Sequence, residues 1–278
     1  MRRVDVDGWV RVLVTTPPEL ADLASDACWE AGAAGIEERS NDGAIELRAG
    51  FASSAPARAA LAHLAALGLG GIVEPVGDDG LDAWRAHAAA VPAGPFWLVP
   101  TWVDPPADAD PTGVLHIDPG RTFGSGSHPT TRLVAALLAA LVAPGDRVLD
   151  VGTGSGVLAV AAARLGAAEV VAIDIDETSP EVVAANAERN GVEAIVRAST
   201  TPLERLDVGA GFAVVAANLL APVIADLASD LRGAVAPGGA LVASGLLADR
   251  WEAGVAPLAP LSPERVEVED GWAAVVLR

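Results

Sequence analysis

Apolar and polar positions change rhythm several times along this chain. From Trp9, WVRVLVTT alternates with the two-residue period of a half-buried strand, and PELADLASDACWEAGA then takes up helical spacing. GIEERS and AIELRAGF are two short strands around Asn41-Asp42-Gly43, which carries hairpin chemistry. APARAALAHLAALGL is a helix closed by Gly70-Gly71, and GIVEPV is a last strand. The order β-α-β-β-α-β over residues 1–76 predicts a small ferredoxin-like α+β domain of the split βαβ kind.

Residues 77–111 differ in kind. They hold a short helix, LDAWRAHAAAV, an aromatic strand, GPFWLVPTW, and the Pro/Asp-rich VDPPADADPTG, which together predict an interdomain connection. From residue 112 helical and strand-like segments alternate: GVLHIDPG, HPTTRLVAALLAALV, DRVLDVG, SGVLAVAAARLG, EVVAIDID, SPEVVAANAERNG, AIVRAS, FAVVAANLL, a helix from Ala221 to Val235, ALVASGLL and a final AAVVLR. This predicts a doubly wound, Rossmann-like α/β sheet over residues 112–278.

Composition narrows the chemistry. At 51% hydrophobic and 20% charged residues, the chain can bury a sizeable core. Its longest apolar stretch, Leu133 to Pro144, is shorter than the roughly 18 residues of a spanning helix. The opening MRRVDVDGWV lacks a signal-peptide apolar region, so a soluble, cytoplasmic protein with no membrane partner is expected. The single cysteine, Cys28, excludes an internal disulfide and any multi-thiolate metal site, and its helical setting places it in a core. All 18 basic residues are arginine, which removes phosphate-loop lysines, Schiff bases and lysine general bases. A net charge of −19 opposes direct nucleic-acid binding and suits a basic partner. Trp9, Trp29 and Trp84 are expected in packing roles, and His63 and His116 in structural ones.

The chemistry centres on GTGSG, residues 152 to 156, between a strand and a helix. In an open parallel sheet ligands bind at the carboxyl ends of strands, and side-chain-free positions there let the main chain approach a ligand and offer it helix-start amides. A dinucleotide site asks for G-x-G-x-x-G; here the third glycine comes one residue early and an acid, Asp150, precedes the first. Asp150-x-Gly152-x-Gly154-x-Gly156 resembles the motif of class I S-adenosylmethionine methyltransferases. That ligand carries an ammonium and a sulfonium and no phosphate, so a carboxylate beside the turn favours it. At the next strand end Asp174 can accept two ribose hydroxyls, while Asp176 is expected to cap the following helix.

DPGRTFGSGSHPTTRLVAALL, residues 118 to 138, and AANLLAPVI, residues 216 to 224, flank the glycine turn. With LDAWRAHAAAV, PFWLVPTW, NAERNGV and PGGALVASGLLADR, they are similar to the ribosomal protein L11 methyltransferase family (PrmA), over about residues 80 to 250. Ser125 and Ser127 stand where that family commonly has Thr, and the amino-terminal domain matches by architecture more than by identity. The resemblance implies S-adenosylmethionine contacts at Thr131, Gly152, Asp174 and Asn218. It also implies methylation of the α-amino group and lysines of ribosomal protein L11, with the ferredoxin-like domain gripping that acceptor.

Each position also has a physical rationale. Thr131 lies in the first helical turn after Ser127-His128-Pro129, where donors can meet a carboxylate, although an ordinary cap explains it too. Asn218 ends a strand and can fix the cofactor or hold an incoming amine through its carbonyl oxygen. His128 could act as a base or merely cap the helix. Asn218-Leu219-Leu220-Ala221 offers no aromatic ring to stack a nucleobase. Methylation of another protein's lysines or of a small amine, and S-adenosylmethionine binding without turnover, stay open; the glycine spacing disfavours a nicotinamide oxidoreductase.

Overall fold

A computed structural model describes residues 9–41, 43–76, 88–120 and 126–278. Trp84, Asp42 of the hairpin, all but the end of the expected helix LDAWRAHAAAV, and residues 121–125 lie outside them. The chain divides into two compact units, residues 1–87 and 88–278.

The first unit runs β1 (Val10–Thr16), α1 (Ala21–Glu30), β2 (Gly35–Asn41), β3 (Ala44–Phe51), α2 (Ser54–Ala66) and β4 (Gly71–Pro75). Strand order is β2-β3-β1-β4. Because β3 is antiparallel to both β1 and β2, those two run parallel with β3 between them, which is what a split βαβ means. Alternation decides the faces: Val10, Val12 and Val14 join Leu47, Ala49 and Phe51 in a core closed by Ala24, Cys28, Ala57 and Leu64. Burial pushes the Cys28 thiol pKa up. The polar positions between them carry ion pairs, Arg11 with Glu74 at 3.2 Å, Arg48 with Glu46 at 2.6 Å and Arg39 with Glu37 at 2.8 Å. Trp9 and Trp29 correct the expectation of packing, being 47% and 50% exposed. Trp9 precedes its strand, and Trp29 points outward on α1 where its neighbour Cys28 takes the buried position.

The second unit opens with a small sheet, β5 (Val91–Ala93), β6 (Phe96–Pro100) and β7 (Val114–Ile117), in which β5 is antiparallel and β7 parallel to β6. Residues 88–111, expected as connection, are therefore part of this unit. The apolar run that includes Phe96 and Leu98 needs burial and obtains it in the core shared with α3 (Pro129–Leu141). Gly94 sits so close to that helix that a Cβ would fall 2.7 Å from the Cα of Ala136.

The main sheet contains β8 (Arg147–Val151), β9 (Glu169–Ile173), β10 (Val196–Ser199), β11 (Phe212–Asn218), β12 (Val235–Leu247), β13 (Pro263–Glu269) and β14 (Trp272–Leu277), in the order β10-β9-β8-β11-β12-β14-β13. The first five in this order are parallel, and β14 pairs antiparallel with β12 and β13. Around it lie α4 (Val157–Arg164), α5 (Ser179–Arg189), α6 (Ala221–Asp226), α7 (Ala228–Ala234) and α8 (Trp251–Val255). Both faces are covered. Val148, Val170, Val214 and Val242 pack with α3, α4 and α5, while Leu149, Val151, Ile173, Val215 and Leu241 pack with α6, α7 and α8. Strands buried on both sides read as continuous apolar runs, which made them visible in the sequence.

Two expectations change. The single helix from Ala221 to Val235 is two, broken at Leu227, and Val235 already belongs to β12. PERVEVE, unassigned from sequence, is the edge strand β13, whose polar residues need no buried face. Among the described residues no helix is long and apolar enough to cross a membrane.

From β8 the chain continues to β9 and β10 on one side and later to β11 and β12 on the other. The crevice at the carboxyl ends of β8 and β11 is thus the topological switch point, where open α/β sheets bind ligands.

Candidate functional site

The glycine turn leaves β8 at this switch point. Gly152, Gly154 and Gly156 have φ of +72°, +52° and +80°, in the left-handed region that side chains resist. Two of them also admit close neighbours: a Cβ on Gly156 would lie 2.9 Å from Val183 of α5, and one on Gly152 would strike Leu219, just past β11. The amides of the turn itself are used internally. Gly152 and Thr153 donate to the Ile173 carbonyl at 2.9 and 3.1 Å, Gly154 to Asp174 Oδ2 at 2.7 Å, and Gly156 to the Thr153 carbonyl at 2.8 Å. Ser179 Oγ holds the Gly154 carbonyl at 2.6 Å. The turn is thereby stapled to the end of β9 and the start of α5.

Asp174 is half-buried at that end of β9, with Oδ2 accepting from Gly154 and Oδ1 from the Asp176 amide at 3.0 Å. These two bonds fix the carboxylate plane, and each oxygen keeps a lone pair for a hydroxyl donor. The next side chain, Ile175, is 93% exposed and gives the strand end an apolar surface. Asp176 accepts from the Thr178 amide and hydroxyl, both at 2.8 Å, where α5 begins.

Asp150 lies beneath the turn rather than open to it, only 1% exposed. Its Oδ2 accepts from Thr153 Oγ at 2.7 Å, and Oδ1 has no partner among the described residues. Burial raises its pKa to about 6, opposed by the Thr153 bond and by the pull of the Ala159 amide, with a smaller upward push from the Asp174 charge.

His128 and Thr131 start α3. His128 is the N-cap, its Nδ1 2.8 Å from Thr130 Oγ and 3.4 Å from the Thr130 amide. Thr131 is buried, and its amide donates to the His128 carbonyl at 3.0 Å, so that donor is taken. The His128 ring meets Trp272 edge-on at 4.9 Å, and Arg132 reaches Glu269 at 2.9 Å and Asp270 at 3.1 Å. Partial desolvation, then the Arg132 charge, lower the His128 pKa and favour the neutral ring. With Nδ1 committed to the cap, only Nε2 is left for proton chemistry.

Asn218 is half-buried at the end of β11, in register with Ser244 of β12. The Leu219 amide donates to the Ser244 carbonyl at 3.0 Å, and Gly245, at φ +84°, lets the Leu219 main chain lie against it. Leu220 beyond it is 65% exposed. Gly245 was not foreseen as a site determinant; its signal is a glycine inside the apolar strand ALVASGLL.

These groups fit S-adenosylmethionine. Asp174 has fixed acceptors of the kind ribose hydroxyls require, Ile175 an apolar surface of the kind a purine requires, and Asp150 a buried carboxylate beneath the turn whose negative charge suits a cationic donor. A sheet of this order with such a turn and acid at neighbouring strand ends defines a Rossmann-like S-adenosylmethionine-dependent methyltransferase.

Comparison with known proteins narrows the class. Residues 75–278 match the family described as ribosomal protein L11 methyltransferase (PrmA). The enzyme of that name from Pelotomaculum thermopropionicum is 36% identical over 306 aligned positions, spanning 97% of this chain and 98% of its own. That from Sorangium cellulosum is 40% identical over 250 positions, 85% of this chain and 78% of its own. The crystal structure of ribosomal protein L11 methylase from Lactobacillus delbrueckii subsp. bulgaricus is 32% identical, covers 66% of this chain and 94% of its own, and superposes with a TM-score of 0.56. The chain belongs to the ribosomal protein L11 methyltransferase family.

Proposed function

We propose that this protein transfers methyl groups from S-adenosylmethionine to the α-amino group and lysine side chains of ribosomal protein L11. The observation that carries the reading is the meeting of two strand ends at the switch point, where the glycine turn is held by Asp174 on one side and packs against Leu219, the neighbour of Asn218, on the other. The family name borne by the relatives supports the acceptor.

S-adenosylmethionine supplies a methyl group already activated on a sulfonium. The protein's part is alignment and exclusion of water. In this reading Asp174 accepts the ribose hydroxyls, Gly152, Gly154 and Gly156 shape the turn, and Asp150 contributes negative potential from below. Thr131 offers its hydroxyl to the methionine carboxylate. The Asn218 carbonyl oxygen orients a neutral amine, which has lost its proton to water beforehand. His128 serves as the cap that holds Thr131 in place, with Nε2 as its one remaining proton site. The first unit grips the acceptor, and the −19 charge of the chain favours a basic ribosomal protein.

Intact-mass spectrometry of purified ribosomal protein L11, incubated with this protein and S-adenosylmethionine, tests the proposal. Methyl-sized mass steps that vanish with Asp174→Ala are expected. An unmodified acceptor beside intact cofactor binding would move the search to other amines.

A further inference from the structure

Helix α5 runs from the candidate ribose acid toward β7, and three of its positions form a stripe one turn apart, Val182, Asn186 and Asn190 at the helix end. Opposite this stripe the chain from His116 to Gly120 runs antiparallel. Asn190 Oδ1 accepts from the His116 amide at 2.9 Å, and its Nδ2 donates to the His116 carbonyl at 2.8 Å. Asn186 repeats the pair two residues on: Oδ1 accepts from the Asp118 amide at 2.9 Å and Nδ2 donates to the Asp118 carbonyl at 2.8 Å. Two residues further, a Cβ on Gly120 would touch Val182 at 3.3 Å. The match is metric: four helical residues rise about 6 Å, and two strand residues about 6.6 Å. Side-chain amides on a helix thus take the place of a neighbouring strand along the free edge of β7.

Asn186 does one thing Asn190 does not. Its Nδ2 also donates to the Ser155 carbonyl in the glycine turn at 2.8 Å. With Oδ1 taking a further bond from Arg189 at 2.6 Å, the buried amide makes four hydrogen bonds. Asn190 spends its remaining donor on the Asn186 carbonyl of its own helix, at 2.7 Å.

Resting on the methyl-donor reading above, we propose that Asn186 is a positioning residue for that donor. One side-chain amide sets the spacing between the glycine turn and the Asp118–Gly120 segment, so the turn has a single geometry when the ligand arrives. Asn190 holds the same strand edge without reaching the turn, and so separates positioning from plain structural support.

The test is calorimetric titration of S-adenosylhomocysteine into the full-length wild type, Asn186→Asp and Asn190→Asp, at pH 8 and pH 5.5, with a thermal melt of each. Asn186→Asp puts an anionic oxygen against the Asp118 and Ser155 carbonyls. Its affinity relative to wild type should fall at least tenfold at pH 8 and partly recover at pH 5.5, where a protonated carboxyl can donate again. Asn190→Asp should lower the melting temperature and leave affinity within twofold. If Asn186→Asp binds within twofold of wild type at both pH values, the inference is overturned. Should Asn186→Asp not fold, Asn186→Ser, neutral and with one donor, takes its place; a loss under twofold there overturns it equally. A wild type that binds no S-adenosylhomocysteine would overturn the methyl-donor reading itself, and this inference with it.

Discussion

The two sides of the candidate site are built in opposite ways. On the glycine side the amides of Gly152, Thr153, Gly154 and Gly156 all have internal acceptors, Asp174 is pinned at both oxygens, and α5 holds the carbonyls of Gly154 and Ser155. On the Asn218 side the main chain runs from Leu219, held to Ser244, into Leu220, whose carbonyl starts α6 by accepting from the Ile224 amide at 3.1 Å, and the groups it shows to solvent are apolar, Leu220 being largely exposed. The difference fits two kinds of ligand. A small cofactor of constant shape is met by a surface whose polar groups are committed before it arrives, which keeps the ordering cost of binding low. A macromolecular acceptor offering several amines is met by an apolar edge with few directional demands.

The largest effect should come from the closest main-chain contact on the apolar side. Gly245→Ala would strain a residue at φ +84° and bring its Cβ within 2.7 Å of the Leu219 carbonyl carbon. A left-handed non-glycine residue and an overpacked backbone contact together cost roughly 2–5 kcal/mol. Chemical denaturation should register that loss, and methyl transfer should fall more than 100-fold as Asn218 is displaced. Cofactor affinity of the folded fraction should drop far less. A variant that lost cofactor binding while still transferring methyl groups would reverse the assignment of the two sides.

Asp150 tests the committed side. Its folded pKa of about 6 lies above the ordinary 3.8, so the folded state holds the proton more tightly than the unfolded chain. The stabilisation is present below pH 3.8 and is lost as pH rises through 6, an excursion worth up to about 3 kcal/mol. Asp150→Asn carries no such titration. Its melting temperature relative to wild type should therefore climb between pH 4 and pH 8. Affinity for cationic S-adenosylmethionine should move the other way, weaker than wild type at pH 8 and converging with it near pH 5. Parallel changes in stability and affinity would mean that Asp150 acts through packing alone.

How much of this could be read from the sequence follows from where each signal resides. Strands β8, β9 and β11 are buried on both faces, so their apolar runs announce themselves, and the glycine turn and Asp174 follow from spacing alone. β13 escaped because an edge strand of alternating charges has no buried face to betray it. The break at Leu227 carries neither glycine nor proline, and β5 is only three residues long. The pairing of Asn186 and Asn190 with β7 is a match between helix rise and strand rise across about 70 positions, which no local pattern records. The internal partners of the turn amides were beyond reach because glycine spacing says where a turn lies, not where its hydrogen bonds go.

The smallest expected effect sharpens the exposed edge. Leu220 follows Asn218 by two residues and touches solvent over most of its surface, so Leu220→Ala should leave stability within about 0.5 kcal/mol. If the acceptor's methylene chain rests on this side chain during transfer, truncation removes part of a leucine's burial, about 1 kcal/mol, or roughly fivefold in kcat/KM. Titration with S-adenosylhomocysteine should find affinity unchanged. Leu220→Asp separates contact from charge: it would hold an ammonium in its protonated, unreactive form, so methyl transfer should fall further than in the alanine variant. The deficit should shrink as pH rises from 7 to 8 at the α-amino group, whose ordinary pKa is about 7.7–8.0, and persist at lysine, whose ordinary pKa is about 10.4. Equal rates for Leu220→Ala, Leu220→Asp and wild type would place the acceptor's path elsewhere on the rim and leave the edge an incidental exposure.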